Sequence, residues 1–185
     1  GLVSHQPRQA GETPARTRVV SGLGSLVSGL QSMNDDKPRR VRAMFGAIAP
    51  RYDLLNTLLS LGAHKRWRRA ALRECRLQPG MTALDVGAGT ADMAIGMAQQ
   101  VGPEGRVVGV DFCEPMLHLG QSKVSARRLR PRVLLAAGDA ERLPIPNACV
   151  DASLSAFVLR NVAGVQQALD EMARTTRPGG VVVIL

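Results

Sequence analysis

The chain has 185 residues, enough to bury a sizeable core and consistent with one domain. Its hydrophobic content of 45% is that of a globular protein, and no apolar run approaches the roughly 20 residues of a membrane-spanning helix. The net charge of +9 points to a polyanion, an anionic membrane surface or a solvated basic face; with one Trp, one Tyr and three Phe there are few platforms for stacking bases, so no nucleic-acid partner is expected.

Residues 1–32 are rich in Gly, Ser, Pro, Gln and Arg and show no sustained periodicity, so they read as disordered or as a segment upstream of the domain. Met33 reads as a natural start. The domain is expected over 33–185. Its first helix spans 35–48, with Val41, Met44, Phe45 and Ile48 at helical spacing. A leucine-rich helix follows over 54–61, then a basic helix over His64–Arg76 carrying Lys65, Arg66, Arg68, Arg69, Arg73 and Arg76. A leucine stripe beside a basic helix suits an anionic bilayer surface, although core packing with a solvated basic face explains the same pattern.

From Leu77 the rhythm changes. Strands are expected at 82–86, 106–111, 133–137, 150–156 and 181–185, with helices at 92–101, 114–128 and 165–175 between them. Pro178-Gly179-Gly180 should stop the last helix. Strands alternating with helices predict an α/β fold: a doubly wound, mostly parallel, Rossmann-like sheet covered on both faces. Cys75, Cys113 and Cys149 are dispersed, which suits reduced packing thiols in a cytosol-like compartment, and no metal site is expected.

In such a sheet ligands sit beyond the carboxyl ends of the strands. The first strand ends in Asp85, followed by Gly87 and Gly89, Thr90 and a helix start. A dinucleotide motif wants a third glycine where Asp92 stands, and a pyrophosphate would meet the carboxylates of Asp85 and Asp92. S-adenosylmethionine has no phosphate and carries an ammonium and a sulfonium, so acids around a glycine turn suit it. Asp111 ends the next strand about twenty residues on, where an acid can accept from both ribose hydroxyls, or else cap the following helix. Asp139 follows the third strand and could accept from an adenine amino group. Beyond the fourth strand, Arg160 stands in an apolar run; it can hold an oxyanion or form an ion pair with Asp170 or Glu171.

Three stretches together resemble the ubiquinone/menaquinone biosynthesis C-methyltransferase family. They are Tyr52-Asp53-Leu-Leu-Asn56-Thr-Leu-Leu-Ser60 with His64 and Trp67, then Leu84-Asp-Val-Gly-Ala-Gly-Thr-Ala-Asp92, then Phe157-Val-Leu-Arg-Asn-Val162. Arg177-Pro-Gly-Gly180 resembles the start of that family's C-terminal signature. The resemblance implies a class I S-adenosylmethionine methyltransferase that methylates a ring carbon of a prenylated quinol. It implies that Thr90, Asp111, Asp139 and Ala140 contact the cofactor, beside Asp85, Gly87 and Gly89 in the turn. Arg160 and Asn161 would face the quinol ring, with Tyr52 closing the site. A water oriented by Arg160 and Asn161, or His64 if it folds inward, would be the base.

The chain departs from the family pattern at Val158, where a glycine is expected, and at Ala156, where a serine often stands; a cofactor contact of that hydroxyl would be lost unless Ser155 substitutes. The family signature also continues beyond the fifth strand, so that strand is expected to form an exposed apolar edge. The resulting expectation is methylation of demethylmenaquinol to menaquinol. The alternatives are a 2-polyprenyl-benzoquinol acceptor in ubiquinone biosynthesis, another small-molecule acceptor, or an inactive truncated fragment. The expected partners are the prenylated quinol, an anionic membrane surface at the periphery of a cytoplasmic protein, and a second copy of the chain.

Overall fold

The computed structural model describes residues 16–19 and 63–185. Strand β1 (Arg16–Val19) comes first, followed by helix α1 (Ala63–Glu74). Strands and helices then alternate: β2 (Thr82–Val86), α2 (Asp92–Val101), β3 (Arg106–Asp111), α3 (Glu114–Ala126) and β4 (Val133–Ala137). After a long loop come β5 (Val150–Ser155), a 3-10 turn at Leu159–Asn161, α4 (Val165–Thr175) and β6 (Thr176–Ile184). The six strands are all parallel, in the order β1-β6-β5-β2-β3-β4. The α/β doubly wound fold expected from the sequence is the one observed.

The two faces follow the period-2 alternation of the strands. Ala83, Val107, Ala152, Leu154 and Val183 pack with Ala71 of α1 and Ala94, Met97 and Ala98 of α2. Leu84, Val86, Val110, Val150 and Val182 pack on the other side with Met172 of α4 and Leu143. Glu171 and Arg174 pin the Leu143–Pro146 loop to α4: Glu171 Oε2 accepts from Leu143 N–H at 2.8 Å, and Arg174 Nη1 donates to Ile145 O at 2.8 Å.

Helices α1 and α3 end two residues before the sequence pattern suggests. Arg76 (φ 50°) and Arg128 (φ 57°) take left-handed backbone, which ends a helix as glycine usually does. Pro178-Gly179-Gly180 does not separate α4 from the last strand. It lies inside β6, where the pairing steps from Val150↔Thr176 to Ala152↔Val181 and the intervening residues bulge.

Two expectations are corrected at the sheet edge. The stretch 1–32 contains a strand, β1, and β6 is not an exposed edge: Arg16–Val19 pairs with Val181–Ile184. An apolar strand with unmet N–H and C=O groups is a template for pairing, and here a preceding segment of the same chain provides it. The helices expected at 35–48 and 54–61 lie outside the described residues.

The strand order fixes where a ligand fits. From β2 the chain winds outward through β3 and β4, then returns to place β5 on the other side of β2. The carboxyl ends of β2 and β5 therefore flank the switch point. Leu154, wholly buried on β5, should cost roughly 2–5 kcal/mol when changed to Ala, whereas Leu134→Ala, at a side chain 64% exposed on β4, should stay within about 0.5 kcal/mol of the parent in urea unfolding.

Candidate active site

The turn after β2 holds Gly87 and Gly89 at positive φ (76° and 52°). A Cβ on Gly87 would lie 2.2 Å from Val158 Cγ2, so glycine is required by the neighbour as well as by the backbone. Gly87 and Ala88 N–H both donate to Val110 O, at 2.7 and 3.0 Å, which fastens the turn to the end of β3.

Asp111 is the hinge pin of this arrangement. Its Oδ2 accepts from Gly89 N–H and its Oδ1 from Cys113 N–H, both at 2.8 Å. With the Phe112 N–H also acting on it, the carboxylate still has lone-pair capacity left for a ligand. Burial raises its pKa, against the pull of the N–H groups of Cys113, Gly89 and Phe112. The ribose-acceptor and helix-entry roles weighed from the sequence are thus compatible: Asp111 holds the entry to α3 while lining the cavity.

Beyond the strand ends lies a cavity of about 520 Å³, of the size that holds small-molecule ligands. Gly87, Asp111, Phe112, Gly138, Asp139, Ala140 and Glu141 line one side, and Val158, Asn161, Val162 and Ala163 the other. Asp111, Asp139 and Glu141 bring three carboxylates, and among the described residues no Lys or Arg lines it. That suits a ligand that is uncharged or cationic and suits a pyrophosphate poorly. Asp139 Oδ1 accepts from Glu141 N–H at 2.9 Å, which shapes the loop and leaves the second carboxylate oxygen for a ligand.

Glu141 joins the two walls. Its Oε1 accepts from Ala163 N–H at 2.8 Å and Gly164 N–H at 3.0 Å, and its main-chain O accepts from Gln167 Nε2 at 3.0 Å. Nothing in the sequence marks Glu141 for this task, because its partners are 22 residues or more away.

Asp85 and Asp92 sit in different surroundings at the turn. Asp92 is already neutralised: Arg68 Nη1 lies 2.6 Å from one carboxylate oxygen and Lys123 Nζ 2.8 Å from the other. Burial pushes its pKa up, but Lys123 and Arg68 outweigh that and lower it. Lys123 Nζ also donates to Thr90 Oγ1 at 2.9 Å. Asp85 is buried beneath the turn, with Oδ2 unpartnered among the described residues. Burial pushes its pKa up to about 7, opposed by the Ala94 N–H and raised further by Asp111. It lines none of these cavities directly.

The loop after β5 brings Asn161 to the cavity and leaves Arg160 exposed beside it. The ion pair weighed for Arg160 is not formed with Glu171, which pairs with Arg174 instead. Ser155 does not replace the missing hydroxyl at Ala156, because its own Oγ is buried and donates to Val86 O at 3.0 Å. Val158 fills the space above Gly87. His64 is buried on α1 and is not among the described residues that line the cavity. Tyr52 lies outside the described residues. Arg68 and Lys123, which hold Asp92 beside the turn, are not among the residues the sequence points to. The signal for Arg68 was its place on the buried stripe of α1 with His64, Ala71 and Cys75.

Residues 31–185 match the model of the ubiE/COQ5 methyltransferase family. The chain belongs to that family. A demethylmenaquinone methyltransferase of Geobacillus stearothermophilus is 44% identical over 153 residues, covering 83% of this chain and 65% of that protein. A ubiquinone/menaquinone biosynthesis C-methyltransferase of Geobacter sulfurreducens is 44% identical over 150 residues, covering 81% of this chain and 59% of that protein. The chain therefore spans about three-fifths of the length of the curated relatives it matches. Among solved structures, a SAM-dependent methyltransferase from Aquifex aeolicus superposes with a TM-score of 0.57 at 27% identity, covering 63% of this chain and 62% of that one. The cofactor of a ubiE/COQ5 methyltransferase is S-adenosylmethionine. The acid-lined cavity fits its adenosine half.

Asp85 gives a test of site electrostatics. Between the ordinary 3.8 and about 7, the folded protein holds a proton that the unfolded chain releases. Asp85 therefore removes stability as pH rises through that window. Stability of Asp85→Asn relative to the parent should rise by roughly 2–4 kcal/mol between about pH 4 and about pH 7 in urea unfolding; a constant difference would contradict the buried, titrating carboxylate.

Proposed function

We propose that the protein methylates a ring carbon of a prenylated quinol, with demethylmenaquinol as acceptor and menaquinol as product. The observation that carries this reading is one cavity with carboxylates at the strand ends on one wall and Asn161 on the other. The relative named demethylmenaquinone methyltransferase, at 44% identity, supports the choice of acceptor.

Asp111 would hold the ribose hydroxyls, and Asp139 with Ala140 the adenine edge. Gly87, Gly89 and Thr90 would receive the amino-acid end, above Asp85. The cofactor supplies a methyl group already activated on sulfonium. The chain's own task is alignment, since fixing the acceptor carbon in line can lower the barrier by several kcal/mol. The ring carbon becomes nucleophilic when the neighbouring hydroxyl loses its proton. Asn161 would donate to the resulting oxyanion and Arg160 would add positive charge beside it. A water oriented by these two side chains would take the proton; His64, which is not among the described residues lining the cavity, is less well placed as base. Val158 and Val162 give the reacting end an apolar wall.

A lipid-tailed acceptor has to be met at a membrane. No helix among the described residues is long and apolar enough to cross one. Helix α1 instead presents exposed Lys65, Arg66, Arg69 and Arg73 with Trp67 45% exposed among them, which suits peripheral contact with anionic lipid. This supports a cytoplasmic protein working at the membrane periphery, and a second copy of the chain is a compatible partner.

Methyl-labelled S-adenosylmethionine incubated with demethylmenaquinol should yield ring-labelled menaquinol by mass spectrometry. Label in a benzoquinol or in RNA instead would overturn the assignment. Arg160→Ala should lower kcat by roughly 10- to 1,000-fold while cofactor affinity holds, and normal turnover would remove Arg160 from the reaction.

A further inference from the structure

A small cavity of about 30 Å³ opens at the glycine turn, bounded by Arg68, Gly87, Gly89, Thr90, Asp92 and Ala156. It shares Gly87 with the large cavity, so one ligand lying across the turn reaches both. Two cations meet there, Arg68 from α1 and Lys123 from α3, and both bind the single carboxylate of Asp92. Arg68 Nε is buried and has no hydrogen-bond partner among the described residues, although its Nη1 is fully engaged with Asp92. A buried guanidinium N–H without an acceptor is unfavourable, and the fork geometry of Arg suits a carboxylate.

We propose that Arg68 anchors the carboxylate of the cofactor's amino-acid end, with Asp92 holding the guanidinium in place. This rests on the reading of the large cavity as the adenosine site. It makes α1 part of the cofactor site: the helix carrying the basic outer face also carries the inward arginine. The two ends of the ligand are then sorted by charge. The adenosine meets acids and apolar groups at β3 and β4, and the carboxylate meets Arg68 beside the turn.

The test compares two nucleosides by calorimetry: S-adenosylhomocysteine, which has the amino-acid end, and 5′-methylthioadenosine, which lacks it. Arg68→Met should weaken the first by roughly 10- to 100-fold and leave the second unchanged. Arg68→Lys, which keeps the charge and loses the fork, should recover part of that loss. Equal weakening of both ligands, or unchanged affinity for S-adenosylhomocysteine, would overturn the anchor and assign Arg68 to tying α1 to α2. Binding of 5′-methylthioadenosine by Arg68→Met also reports that the variant is folded. Failure of the parent to bind either nucleoside would refute the adenosine site itself, a different result from failure of the anchor.

Discussion

Asp111 accepts one peptide N–H from the turn after β2 and one from the entry to α3, through different oxygens of the same carboxylate. Two loops from neighbouring strands are thereby fixed to a single side chain at the point where the sheet reverses its winding. The constraint runs in both directions. The carboxylate can stay buried because backbone N–H groups satisfy it, and the turn can hold Gly89 at positive φ because its N–H has an acceptor. The cavity floor, the path over Gly87 and the access to Gly138–Ala140 all follow from this junction.

Around it, the carboxylates divide into distinct states through their surroundings. Asp111 is buried and held by N–H groups. Asp85 is buried with one oxygen unmet and titrates near neutrality. Asp92 is fully countered by Arg68 and Lys123, and Asp139 is exposed at the rim. A positively charged ligand therefore meets far less negative charge than a count of acids suggests, and it meets that charge in the large cavity rather than at the turn. Glu141 adds a mechanical role, fastening the wall that carries Asn161 to the wall that carries Asp139 and Ala140.

Local periodicity carried the alternating core of the fold, because β2, α2, β3, β4 and α4 each have apolar residues at one spacing between clear turns. Strand β1 was illegible, since Arg16-Thr-Arg-Val19 has one apolar residue and its order comes from the edge of β6. The bulge at Arg177–Gly180 was hidden for a similar reason: Pro-Gly-Gly reads as a stop, and only pairing with β5 keeps it in the strand. In the site, Asp111 and Asp139 were legible from their positions at strand ends. Asp92 was misjudged because its partners lie 24 and 31 residues away on other helices. Ser155 was a reasonable substitute for a lost hydroxyl until its bond across the sheet to Val86 was seen.

The central claim is that a cofactor's ribose is held by the carboxylate that joins these two loops. Calorimetric titration of S-adenosylmethionine into the protein and into Asp111→Ala tests it most directly. The account predicts binding by the parent and a loss of roughly 100-fold or more in the variant, with the variant's circular dichroism unchanged. Equal affinity in the two proteins would contradict it.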